Sequence, residues 1–265
     1  VGECDDIDRS VDRWCRRTAR VEVIGGFDLF VEPPPFSPKY ARRRHGVDLD
    51  SDDLPRLVER CRELAVPAEV EGVHESHPGL RELLRCGGWR VTEAPLMVHR
   101  DDAPPADAVV AGVRLRDVAH DSADLARIDA IGHVAFGVPG MSVGAAGPAD
   151  VDRIAAGHEP TSSRERLRLG HMVMVAAFAG DDAVAYGSLL LDDAAPLAEI
   201  VAVGTVPSHR RRGLGAAVTN RLVAVARERG VTTVWLSAAD ADVAALYARS
   251  GFERVGTYLM SEAPA

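Results

Sequence analysis

The feature that most constrains this chain lies past its midpoint. A strand-like run, Glu199 to Val206, passes through Pro207 into Arg210-Arg211-Arg212-Gly213-Leu214-Gly215-Ala216 and then into helical periodicity. Leu214, Val218, Leu222, Val225 and Ala226 recur at helix spacing, and Gly230 stands where a C-cap belongs. Another strand, Val231 to Leu236, follows at once. At the strand–helix junction the first helical N–H groups lack intrahelical partners, and the helix dipole adds partial positive charge. Gly213 and Gly215 let main chain approach an anion closely, and the arginines add charge. These are the ingredients of a phosphate site. An Arg-rich turn before an ordinary helix is the plainer alternative, and Gly-x-Gly alone does not decide between them.

The flanking sequence is mixed α and β. Val113 to Val118 alternates as a strand, and Asp121 or Ser122 can cap a helix running to about Val134. Val138 to Ala149 is rich in Gly, Ala and Pro and reads as a mobile loop. The apolar runs His171 to Ala179 and Ala183 to Leu191 flank Gly180-Asp181-Asp182, a hairpin signal. Ala241 to Arg249 reads as a helix stopped at Gly251, and Arg254 to Met260 as a closing strand.

Arg-x-x-Gly-x-Gly after a strand, then a long amphipathic helix, a strand and ALYARSGF, resembles the GNAT superfamily of N-acetyltransferases across roughly Gly112 to Met260. The resemblance implies the acyl-CoA N-acyltransferase fold, an α/β (α+β) architecture on a mixed sheet. It implies acetyl-CoA as cosubstrate and no metal. Its loop consensus falls on Arg210, Gly213 and Gly215, so the main-chain N–H groups of Arg211, Arg212, Gly213, Leu214, Gly215 and Ala216 would hold the pyrophosphate. Val203 falls where a strand N–H polarises the acetyl carbonyl, and Thr205, just past Gly204, where main chain pairs with the pantetheine arm. Tyr247 falls on the tyrosine that protonates the departing thiolate, or else is a packed helix aromatic. Glu199, eleven residues before Arg210, is similar in spacing to the base of the histone-acetylating branch, or else is a strand glutamate facing solvent. Many members carry Asn seven residues before the tyrosine; here Asp240 stands there, and an ionised Asp accepts but does not donate.

The first part of the chain resembles a reduced, non-catalytic copy. Setting Gly88-Trp89 on Gly251-Phe252 lays CGGWRVTEAPLM over RSGFERVGTYLM, with a helix over Leu54 to Leu64 and a strand over Ala68 to Val73 before it. Leu84 takes the place of Tyr247, and the loop region ARRRHGVDLDSDD has one glycine and crowding acids that would compete for its N–H groups. An unrelated α+β appendage is the alternative. Domains are therefore expected over 1–105 and 112–265, joined by the acidic, proline-containing stretch around 100–111.

The implied activity is transfer of an acetyl group to a primary amine of a small molecule, by direct attack in a ternary complex. No cysteine lies in the C-terminal part, so no acetyl-cysteine forms there. The alternatives are a non-catalytic acyl-CoA-binding regulator and an acyltransferase using a longer acyl-CoA. A net charge of -9 argues against nucleic acid as partner. No apolar run approaches the ~20 residues of a membrane helix, and the acidic N-terminus does not read as a signal peptide. A cytoplasmic protein with free Cys4, Cys15, Cys61 and Cys86 is expected; self-association to a homodimer stays open. Pro33-Pro34-Pro35 reads as a stiff connector, and His74-x-x-His77 as loop residues rather than a metal pair.

Overall fold

The computed structural model describes residues 2–31, 40–100, 110–138 and 140–264. The Pro33-Pro34-Pro35 run and most of the 100–111 connector lie outside these residues. Packing divides the chain into two compact units: Val1–Met97 with Ser237–Ala244 and Arg254–Ala265, and Val98–Leu236 with Ala245–Glu253.

The first unit opens with α1 (Glu3–Thr18), whose buried stripe Ile7, Val11, Trp14 and Cys15 recurs at helical spacing. Acids in its first turn and arginines in its last complement the helix dipole. There follow β1 (Arg20–Ile24), β2 (Phe27–Val31), β3 (Ala41–Arg43), α2 (Asp53–Leu64), β4 (Glu69–Val73), a 3-10 turn (His74–Ser76), α3 (Leu80–Cys86) and β5 (Arg90–His99). The core gathers Phe27, Leu29, Leu57, Val70, Leu84 and, from the far end of the chain, Leu259.

The second unit holds β6 (Val113–Asp117), α4 (Leu125–Phe136), α5 (Pro148–Ala155), α6 (Thr161–Arg168), β7 (Met172–Ala179), β8 (Asp182–Leu191), β9 (Leu197–Thr205), a 3-10 turn (Pro207–His209), α7 (Leu214–Glu228) and β10 (Thr233–Ser237). Then come α8 (Ala241–Ala248) and β11 (Phe252–Glu262). Its strands run in the order β10-β9-β8-β7-β6, with β7, β8 and β9 antiparallel and β9 parallel to β10. α7 buries Leu214, Val218, Leu222 and Ala226 on one stripe, as its periodicity predicts. α4 starts later than the expected cap at Asp121 or Ser122; the Ser122 hydroxyl instead accepts the Asp124 N–H at 3.2 Å. The expected loop over 138–149 gives way at Pro148 to α5. α5 and α6 bury one residue and none, so neither writes an apolar period into the sequence.

The first unit repeats the second in miniature. β1, β2 and β3 are antiparallel, and β3 pairs parallel to β4 after the intervening α2. In each half of the sequence a helix then ends before a left-handed glycine, Gly88 or Gly251, and a long strand. Packing groups two later segments, Ser237–Ala244 and Arg254–Ala265, with the first unit, so that most of β11 packs there. That strand runs antiparallel to β4, from Tyr258 opposite Val73 to Glu262 opposite Glu69, and so covers an edge that would otherwise be unpaired.

A buried charge network ties α1 to β3, β4 and β11. The Asp8 carboxylate receives the Arg42 guanidinium, the Val73 N–H at 3.0 Å, His77 Nε2 at 2.8 Å and His45 Nε2 at 3.0 Å. Arg42 also reaches the Asp8 carbonyl at 3.0 Å and Tyr258 at 3.4 Å. His77 thus belongs to this network and not to a pair with His74. The ligand atoms of Asp8, His45 and His77 lie within 4.8 Å of one another, but the guanidinium on the same carboxylate already balances its charge. Burial raises the Asp8 pKa, while Arg42 and the two histidines lower it further, leaving it well below the usual carboxylate range. This stabilisation is fully present above about pH 4 and is withdrawn as the pH falls toward the depressed pKa. Asp8→Ala strands a buried guanidinium and is expected to cost about 3–5 kcal/mol in urea unfolding at pH 7. A loss below about 1 kcal/mol would mean that Arg42 finds solvent instead.

No helix among the described residues is long and apolar enough to cross a membrane. All four cysteines are free thiols.

Candidate functional site

The second unit departs from regular geometry at one point on β9. Ser188 of β8 stands opposite Val201, but Tyr186 stands opposite Gly204, so three steps on β9 face two on β8. The extra residue is a β-bulge, and Ala202 within it takes φ +56°, a left-handed conformation that costs a non-glycine residue about 1–2 kcal/mol. Val203 lies in this bulge. A bulge leaves its extra residue outside the strand ladder, which is how a strand can keep a main-chain donor for something other than its neighbour. The parallel pairing of β9 with β10 runs from Leu197 opposite Thr233 to Glu199 opposite Trp235, with no pairing of these strands beyond it among the described residues. Glu199, half-buried, is therefore the last paired residue before the two strands part, and the bulge follows it.

Past Thr205 the chain turns through Pro207–His209 and enters the arginine-glycine loop. Arg211 (φ +63°) and Gly213 (φ +81°) are both left-handed, and Gly213 is the N-cap of α7. The main-chain N–H groups of Arg211 through Ala216 have no main-chain partner among the described residues; Ala217 is the first to close, onto the Gly213 carbonyl at 3.0 Å. Arg211, Arg212, Gly213 and Ala216 are exposed. A Cβ placed on Gly215 would meet nothing nearer than Val203 at 4.0 Å. Consecutive unpaired N–H groups, a helix N-terminus and open space above a glycine fit a diphosphate.

Arg210 does something the loop consensus does not announce. Its guanidinium is spent on five main-chain carbonyls: Thr205 (3.3 Å), Ala135 (2.6 Å), Val138 (3.2 Å), Gly140 (2.8 Å) and Ser142 (3.1 Å). Two belong to the end of α4 and the step after it, where the helix dipole favours a cation. The side chain therefore latches the loop to α4 rather than standing open to a phosphate. Arg210→Ala is expected to lower stability by about 2–3 kcal/mol in urea unfolding. Lysine, a point charge with three donors, should recover less than half of that. Full rescue by lysine would show that charge alone, and not the fork, holds the loop.

Tyr247 stands on α8 with its ring edge-on to Phe252, centroids 5.8 Å apart. Burial pushes its phenol up to about 12, so the hydroxyl holds its proton throughout the neutral range. Asp240 is engaged differently from the expected cofactor contact. Its carboxylate accepts the Val243 N–H at 2.8 Å and its carbonyl the Ala244 N–H at 2.9 Å, so it caps α8.

The corresponding loop of the first unit is closed by its own acids. Asp53 accepts the Gly26 and Asp50 N–H groups at 3.1 and 3.0 Å, and Asp50 accepts the Asp52 N–H at 2.7 Å. Leu84, in the place of Tyr247, is fully buried. Two N–H groups of the loop, those of Asp50 and Asp52, are thus engaged by carboxylates, whereas α2 itself carries no side-chain cap.

One group lies outside any sequence motif. A cavity between α4 and β8 is lined by Asp129, His133, Phe136 and Tyr186; these residues are scattered along the chain and only folding brings them together.

Residues 150–252 match the model of the acetyltransferase (GNAT) family. Among solved structures, a GCN5-related N-acetyltransferase from Kribbella flavida is 24% identical with a TM-score of 0.73, over 100% of this chain and 97% of that one. An acetyltransferase of the GNAT family from Novosphingobium aromaticivorans is 18% identical, with a TM-score of 0.57 over 96% of each chain. A tandem GNAT protein from the clavulanic acid biosynthesis pathway is 18% identical, with a TM-score of 0.56 over 92% of this chain and 80% of its own. At these identities the likeness is one of fold. No curated protein matches the chain by sequence.

Proposed function

We infer that this chain, whose residues 150–252 carry a GNAT-family domain, moves an acetyl group from acetyl-CoA to a primary amine of a small molecule, with both substrates bound together. The observation that carries the reading is the run of N–H groups from Arg211 to Ala216, unpaired among the described residues, at the open end of α7. Acetyl-CoA supplies an activated thioester carbonyl and a thiolate leaving group.

The chain's own residues then have separable tasks. The loop N–H groups and the α7 dipole hold the pyrophosphate, with Arg211 and Arg212 adding charge. Thr205 offers main chain to the pantetheine arm, and the N–H of Val203, which lies in the bulge, stabilises the developing oxyanion. Glu199 accepts a proton from the incoming ammonium, which must be neutral to attack. Tyr247 holds a proton for the departing sulfur. Asp240 supports α8 and makes no cofactor contact in this scheme. The first unit, with its loop closed by Asp50 and Asp53, is non-catalytic.

Calorimetric titration of acetyl-CoA, compared with longer acyl-CoAs, followed by thiol release in the presence of an amine panel, tests this reading. Micromolar binding with amine-dependent thiol release supports it. Binding without turnover across the panel would replace it with an acyl-CoA-binding regulator, and no binding would remove both.

A further inference from the structure

The cavity between α4 and β8 measures about 430 Å³ and adjoins the β9 bulge. A Cβ on Gly204, the residue after Val203, would come within 3.3 Å of Tyr186 Cε1 and 3.5 Å of Phe136 Cζ, both side chains of the cavity wall. Tyr186 is only 6% exposed, yet its hydroxyl has no hydrogen-bond partner among the described residues. A Cβ on Gly132 would meet that hydroxyl at 2.6 Å, so the helix comes down on the phenol edge and the oxygen is left facing the cavity. The oxygen is not sealed from solvent, so it is free to hydrogen-bond a ligand that enters.

Asp129 supplies the charge. Its two oxygens are held by the Ser163 hydroxyl at 2.8 Å and His158 Nε2 at 2.7 Å, and no lysine or arginine pairs with it among the described residues. It is thus a fixed carboxylate with spare acceptor capacity. Beside it stand the Tyr186 ring and the Phe136 ring, the latter 60% exposed. Aromatic faces next to a fixed carboxylate favour a cation on a short carbon chain.

We propose that this cavity is the acceptor subsite and selects amines that carry a second cationic group, of the class of short linear diamines, with Asp129 anchoring the charge that does not react. The proposal rests on the acyl-transfer reading. The division of labour follows from acid–base chemistry. A carboxylate touching an ammonium favours its charged form, so an amine held on Asp129 would be kept from attacking. The nucleophile must therefore be the other nitrogen, toward the bulge and Glu199.

The test compares butane-1,4-diamine with butylamine as acceptors, with acetyl-CoA and thiol release as readout, for wild type, Asp129→Asn and Tyr186→Phe. Wild type should favour the diamine, and Asp129→Asn should raise the diamine KM about 10- to 100-fold with little change for butylamine. Tyr186→Phe should raise the same KM by a smaller factor, and thermal melts confirm that each variant folds. A diamine-to-butylamine KM ratio unmoved by Asp129→Asn, in a folded variant that turns over, overturns the proposal and leaves the transfer reading standing. Calorimetry of the diamine without acetyl-CoA separates the two claims. Diamine binding that Asp129→Asn abolishes, with no acceptor acetylated, keeps Asp129 as the diamine anchor but overturns its role as an acceptor subsite together with the transfer reading, whereas no diamine binding to a wild type that still acetylates butylamine overturns the subsite alone.

Discussion

A Gly215→Glu chain is expected to lose at least about 100-fold in acetyl-CoA affinity while unfolding at the same or a higher urea concentration than wild type. The two effects have opposite signs because the position serves two masters. As a helix residue, Gly215 is a liability, since glycine costs up to about 1 kcal/mol relative to alanine. A carboxylate in the first turn of α7 also meets the positive end of the helix dipole, worth about 0.3–1 kcal/mol. Sterically the fold accepts the change, because the space around the missing Cβ is empty out to 4.0 Å. As a ligand surface, the same space is where a diphosphate must come close to the N–H groups of Arg211 to Ala216, and glutamate brings both bulk and like charge into it. Gly215→Ala should fall between the two, more stable and weaker in binding. Calorimetry beside urea unfolding separates the claims. A glutamate variant that binds acetyl-CoA normally would place the phosphates elsewhere, and one that merely unfolds would show the space to be needed by the chain itself.

The first unit makes the same point in reverse, since there the chain already carries the competing carboxylate. Asp53, the first residue of its helix, accepts the main-chain N–H groups of Gly26 and Asp50, both outside that helix, and so puts a carboxylate where a bound anion would have to come.

What was legible in the sequence follows from the range of the interactions involved. The periodicity of α7, the glycine after α8 and the arginine-glycine loop are local patterns, written within one or two turns of chain. The bulge on β9 depends on register with β8 and leaves only Ala202 in a left-handed conformation, which no residue type there announces. The Arg210 latch reaches carbonyls some seventy positions upstream, and main-chain acceptors carry no sequence signature at all. The packing of β11 in the first unit is equally silent, because Arg254 to Met260 would alternate as a strand beside any partner. Asp129 and Tyr186 sit in unremarked stretches and acquire meaning only across the α4–β8 contact.

Tyr247→Phe is expected to lower kcat by about 100- to 1,000-fold with acetyl-CoA affinity and stability little changed. The ring stays, so its edge-on contact with Phe252 stays; only the hydroxyl goes, and that hydroxyl has no hydrogen-bond partner among the described residues to be stranded by its loss. The protonation state sets the sign of the pH argument. With the phenol pushed up to about 12 by burial, wild type keeps its acid protonated across the working range, so its kcat should show no alkaline loss below about pH 11. The acid limb belongs to groups that must lose a proton, Glu199 and the acceptor amine, and should survive in the Phe variant. Glu199→Gln should act on that limb instead, removing the carboxylate that takes the proton while leaving the alkaline side flat. An acid limb near pH 9 in wild type that disappears in Tyr247→Phe would mean that the phenol must lose its proton in the working enzyme. Its role would then have to shift from donating a proton to the sulfur toward accepting one from the amine, and Glu199 would lose its task.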